Sequence, residues 1–200
     1  MKYATKIKQI ILALIGNFIL GAGVAMESQA LLGTDPAVSF SQAAAPHLGI
    51  TIGQMITVTN VVLLLITFFI KKSNIGLGTL IVVLLNQYPV DLVTSMITYR
   101  DNLFINILWV VIGCVFIAIG CNVIISSNLG MGIYDAFLYG ITSKTTKSYT
   151  FVRYIVDGIF LLLTFILKGY IGIGTIIPYL IVGNLITLTQ PYITKLTKLI

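Results

Sequence analysis

Charge is scarce in this 200-residue chain: Asp, Glu, Lys and Arg together make up 9%, and only six residues are acidic. A soluble globular domain carries about a quarter of its residues charged, so that class is excluded. Histidine occurs once, as His47, and no carboxylate and serine are spaced around it as a hydrolytic triad. DxD, HExxH and CxxC patterns are missing as well, so the sequence predicts no enzyme. The two cysteines, Cys114 and Cys121, share one apolar run with no further Cys or nearby His. They read as small buried thiols at a helix contact, and neither a metal nor a cofactor is expected. Linkers, low-complexity segments and charged tails are lacking too, which leaves a single transmembrane domain over residues 1–200.

What the chain has is apolar surface: 58% of residues are hydrophobic and the mean hydropathy is +1.03. A bilayer crossing takes about 20 such residues, so the chain holds at most about six to eight crossings. The net charge of +6 does not point to nucleic acid, because the lysines stand at the ends of apolar runs. The expected partner is the lipid bilayer. Lys2, Lys6 and Lys8 ahead of the run from Ile10 to Met26 look like a signal peptide. Glycines inside that run have counterparts in the second half of the chain, which makes the run part of the fold.

The second half repeats the first. Gly16, Gly23 and Gly33 recur 97 positions on as Gly113, Gly120 and Gly130, and LLITFFIK (64–71) returns as LLLTFILK (161–168). One deleted residue later, IGLGTL (75–80) is matched by IGIGTI (171–176). The spans expected are 7–26, 52–70, 75–97, 103–125, 149–167 and 174–192, three in each copy. Between the first two of each triplet lies a stretch too broken to cross, 32–48 and 129–143, expected as a re-entrant or interfacial half-helix. The copies occupy about 7–98 and 103–195.

With the N-terminus cytoplasmic, Lys2, Lys6, Lys8, Lys71, Lys72, Lys144, Lys147, Arg153, Lys195 and Lys198 fall inside, and only Arg100 and Lys168 outside. An odd number of crossings per copy then inserts the second copy upside down. The expected fold class is an all-α integral membrane protein, six transmembrane helices in a 3+3 inverted repeat with both termini cytoplasmic.

These features resemble the YczE/YitT-like family of small bacterial integral membrane proteins. The resemblance spans nearly the whole chain and rests on the glycine-rich first helix (GAGVAMESQALLG, 21–33), the Pro-containing segment after it, GITIG (49–53) and the GxGT opening of the third helix. The family's Pro-Trp pattern is split here, as Pro36-Ala37 in the first copy and Ile133-Tyr134-Asp135 in the second. The resemblance implies a plasma-membrane location and names no activity.

Asp157 is the most informative side chain, about nine residues into its span and so roughly 13 Å deep. An ionisable group there costs about 2.5–3.5 kcal/mol on insertion scales and demands a partner, a wet cavity or a proton. Arg153 precedes it by four residues and Tyr149 by eight, on one face. The repeat places Asn60 opposite Asp157 and Ile56 opposite Arg153. Asp157, Arg153, Asn60 and Tyr149 are therefore the candidate residues for a substrate or ion. Glu27, Asp35 and Asp91 fall toward the outer side as a candidate vestibule, and Asp135 sits in the cytoplasmic re-entrant segment as a candidate gate. Capping is the simpler reading of Asp35 and Asp135, and Thr79 and Thr175 are expected to cap their helices. Pro89, just before Asp91, is expected to kink the third helix.

Two inverted copies point first to a secondary transporter of a small molecule or ion. Two other classes stay open: a substrate-binding subunit of a multi-component importer, and a non-transporting accessory protein. The glycine ridge of Gly16, Gly23, Gly113 and Gly120 permits close helix contact within one chain, in a homo-oligomer or with a membrane partner.

Overall fold

The structure is a computed structural model that describes residues 2–50, 52–97 and 102–199, with side chains from residue 6 to 197 of these. Arg100, one of the two expected outer cations, lies outside the described residues, and so do the side chains of Lys2 and Lys198. The described chain is all helical: α1 (Lys2–Gln29), α2 (Pro36–Leu48), α3 (Ile52–Lys71), α4 (Leu77–Leu85), α5 (Gln87–Met96), α6 (Leu103–Ser126), α7 (Ile133–Thr142), α8 (Tyr149–Ile166) and α9 (Ile173–Leu199). Five of these, α1, α3, α6, α8 and α9, are long and apolar enough to cross a bilayer. Their outer faces carry bare aromatic rings, with Phe69, Phe104 and Phe165 each more than 70% exposed, as only a lipid solvent tolerates. The short helices α2 and α7 fill the positions expected for the half-helices.

The third expected span is not one straight helix. It divides into α4 and α5, which meet at Asn86 at an angle of 43°, and counts as a sixth crossing only if the bent pair is taken together. The cause is Pro89, though the bend falls three residues before it. Proline has no N–H for the carbonyl of Leu85, and its ring crowds that same carbonyl, so the distortion appears one turn upstream.

Contacts between the copies are reciprocal: α1 packs along α6, α2 on α8, and α7 on α3. Within each copy the pattern also repeats, since α9 lies against α6 as α4 and α5 lie against α1. The α1–α6 crossing runs on the glycine ridge: a Cβ at Gly23 would stand 2.7 Å from the carbonyl oxygen of Gly113, and one at Gly120 would stand 2.5 Å from the amide of Leu20. The ridge is thus consumed inside the chain. Backbone exchange at the loops repeats the pattern, with Gly78 N donating to Leu129 O at 2.7 Å and Gly174 N to Leu32 O at 2.8 Å. The GxGT glycines make this possible, since a Cβ at Gly76 or Gly172 would fall about 2 Å from those acceptors. The loops reach that position through Gly33 and Gly130, at φ 101° and 112°, where any side chain would be strained. Thr79 caps α4 as expected, accepting the amide of Gly76 at 3.1 Å.

Candidate functional site

Three elements, α2, α7 and α8, converge on one guanidinium. Arg153, on the second turn of α8, is 3% exposed; its Nη2 donates to Asp35 Oδ2 at 2.9 Å and its Nη1 to the Tyr149 hydroxyl at 3.3 Å. Its Nε faces Asp157 Oδ2 at 3.3 Å, one helical turn further on, and neither of these two atoms has any other partner. The Tyr134 ring lies beneath the guanidinium, 5.2 Å from its carbon, a cation–π arrangement, and the Tyr134 hydroxyl donates to Asp157 Oδ1. The pair expected between Arg153 and Asp157 is therefore present, extended by two residues from elsewhere in the chain.

Asp35 reaches the site because it ends a turn. It is the N-cap of α2, with Oδ1 accepting the amide of Ala37 at 3.1 Å, while its second oxygen takes the guanidinium. Pro36 at the first helical position fixes the backbone that aims it. Asp135 does not cap. It is the third residue of α7, whose cap is Gly132, and its carboxylate accepts the Tyr149 hydroxyl at 2.6 Å. Tyr149 is held in turn by stacking on Tyr139, with ring centroids 4.6 Å apart.

The four residues expected at a vestibule or gate separate. Asp91 is exposed, whereas Glu27 is 0%, Asp135 2% and Asp35 7% exposed. Their place near helix ends suggested contact with water, but the α1–α2 connection folds inward over Glu27, whose Oε2 accepts the amide of Asp35 at 3.0 Å. Glu27 Oε1 accepts the Cys114 thiol at 3.4 Å. Asn60 joins neither ion pair. It borders a cavity of about 110 Å³ that reaches Asp35, Tyr134, Asp135 and Arg153. A second cavity of about 190 Å³ adjoins it, sharing Val24, Val38, Asn60 and Asn86, and leads past Gln42 and Gln87 to Asp91. The wall is largely apolar with polar side chains interspersed, Asn60 and Asn86 standing where the two cavities meet, the usual makeup of a small-molecule pocket.

Sequence reasoning did not single out Tyr134 or Cys114 for these roles. A signal existed for Tyr134, which stands in the split family motif opposite Ala37. Cys114 showed none, because its role depends on the α1–α6 crossing.

A family model described as a family of unknown function (DUF6198) matches residues 7–191. The chain belongs to this family. Among its relatives, the uncharacterized protein YyaS of Bacillus subtilis is 26% identical over 184 residues, covering 90% of this chain and 92% of the relative. The uncharacterized membrane protein YczE of the same organism is 26% identical over 181 residues, 88% and 82% of the two chains. An uncharacterized protein of Haemophilus influenzae is 25% identical over 194 residues, 97% and 88%. The YczE-like character read from the motifs thus holds across almost the full length, and the chain is a multi-pass membrane protein. No solved structure matches it.

Proposed function

We propose that this protein carries a small solute across the bacterial plasma membrane by alternating access of two inverted copies, residues about 7–98 and 103–195, that form one domain. The carrying observation is the cavity that runs between the copies to Asp35 of the first and Arg153 of the second. Reciprocal loop contacts support rocking of two similar bodies, the usual use of an inverted repeat. In this reading both termini are cytoplasmic, α4 and α5 together make the sixth crossing, and the cavity opens outward past Asp91. The work is binding and reorientation without a chemical step. Arg153 and Asp35 then form the polar floor, Asp157, Tyr149 and Tyr134 hold the guanidinium, and Asn60 lines the path.

The test is a thermostability screen of the purified protein against pooled amines, nucleosides, vitamins and metal ions, beside Asp157→Asn, since a ligand of the folded state raises its apparent stability. The expected result is a stabilising compound whose effect is lost in the variant and which enters proteoliposomes carrying the wild type. Binding without flux supports a binding subunit of a larger importer instead, and no stabilising compound in well-folded protein contradicts the proposal.

A further inference from the structure

The cluster holds four carboxyl groups, Glu27, Asp35, Asp135 and Asp157, around one guanidinium. These are four of the six acidic residues of the chain, and all are more than nine-tenths buried. Three have a cation or a hydroxyl donor. Asp35 and Asp157 face Arg153, Asp157 also receives the Tyr134 hydroxyl, and Asp135 receives the Tyr149 hydroxyl, itself bonded to Arg153. Glu27 has neither. Its two donors are the Asp35 backbone amide and the Cys114 thiol, both uncharged, and neither ion pair of the described residues includes it. The groups that face it are Asp35 from the start of α2, Cys114 from α6 and, beyond Asp35, Arg153 from α8. The fold makes room for it, since a Cβ at Gly113 would stand 2.8 Å from Glu27 Cγ.

We propose that Glu27 is the proton-binding group of the cluster and that its proton is the ion coupled to reorientation of the cavity. A carboxylate sealed among helices with no cation is the least favourable way to hold this glutamate, and a proton removes that charge. The proton is taken from water in the cavity, where Asp35 forms part of the wall, and returns to water when the cavity faces the other side. Loss of the proton puts a second negative charge beside Asp35, whose amide is bonded to Glu27 and whose carboxylate is bonded to Arg153. The guanidinium is then drawn toward Asp35 and away from Asp157, so Glu27 controls which copy holds Arg153. The coupling rests on the transport reading, but the bound proton does not.

Glu27 is the sole glutamate of the chain, which gives a direct test in the unmutated protein. The protein is made by cell-free synthesis with glutamate carrying carbon-13 in the side-chain carboxyl, and that one signal is followed by NMR as pH is varied. The proposal expects a protonated carboxyl at neutral pH that converts to carboxylate only in alkaline buffer; a carboxylate at neutral pH overturns it. The coupling is read separately from thiol labelling of Asn60→Cys. Because the thiolate is the reacting species, the rate is divided at each pH by that of Asn60→Cys carrying Glu27→Gln, and this ratio is expected to change severalfold between neutral and alkaline pH. A ratio that does not change with pH overturns the coupling even where the proton is found, and neither readout requires a known solute.

Discussion

The last apolar stretch differs between the two copies although the rest of each unit is closely matched. In the first copy it breaks at Asn86 into α4 and α5; in the second it continues unbroken as α9, where Val182, fully buried, stands in the place of Asn86, and Leu185 in that of Pro89. Midplane chemistry divides in the same way. Asn60 of the first copy borders open space, while its counterpart Asp157 is sealed behind Tyr134 and Arg153. A shared scaffold can thus be open along one copy and closed along the other, and the lesson is that a few substitutions at equivalent positions decide which. The copies also specialise across the cavity, for Asp35 of the first receives Arg153 of the second.

The largest effect is expected from Arg153→Met, which leaves Asp35 and Asp157 buried without their cation. Truncating one partner of a buried pair costs about 3–5 kcal/mol. Denaturation in mild detergent is expected to show a loss of this size, partly restored by adding Asp35→Asn; an unchanged midpoint would break the idea that the copies are joined through this residue. Next come Gly23→Val and Gly120→Val at the α1–α6 crossing. Overpacking costs about 1–3 kcal/mol, and the two variants are expected to lose similar stability because their contacts are mirrored. A large cost at one and none at the other would show the crossing to be less symmetrical than the backbone suggests.

Pro89→Leu gives the first copy the residue that its partner has at this position. Restoring the N–H should straighten α4 and α5, narrow the cavity and slow thiol labelling of Asn60→Cys severalfold, with stability unchanged or raised. Asn60→Val is the mildest, with an expected stability change under about 1 kcal/mol, because a polar side chain in a bundle contributes little unless it bonds across helices.

Much of the frame was legible because it is written in local patterns. Apolar run length placed α1, α3, α6, α8 and α9, and the 97-residue spacing of the glycines marked the ridge without saying what packs on it, which the structure gives as the crossing of α1 and α6. Helical spacing also found Arg153 with Asp157, a contact of one turn. Asp35 and Arg153 are 118 residues apart, and nothing in either segment names the other; that pair exists because α2 lies on α8. Glu27 was misplaced for the same reason. A position two residues from the end of α1 reads as an outer surface until the following turn covers it with Asp35. Pro89 did announce a distortion, but its cause acts four residues upstream, so the bend came at Asn86.

The central claim is that the open path runs along the first copy to Asn60 and stops at the Arg153 cluster. It is tested most directly by labelling Asn60→Cys and Asp157→Cys in intact cells with a membrane-impermeant thiol reagent, with both native cysteines replaced by alanine. The account predicts that Asn60→Cys is labelled from outside and that its mirror position, Asp157→Cys, is not. Equal labelling of the two from outside, or labelling of Asp157→Cys alone, would contradict it.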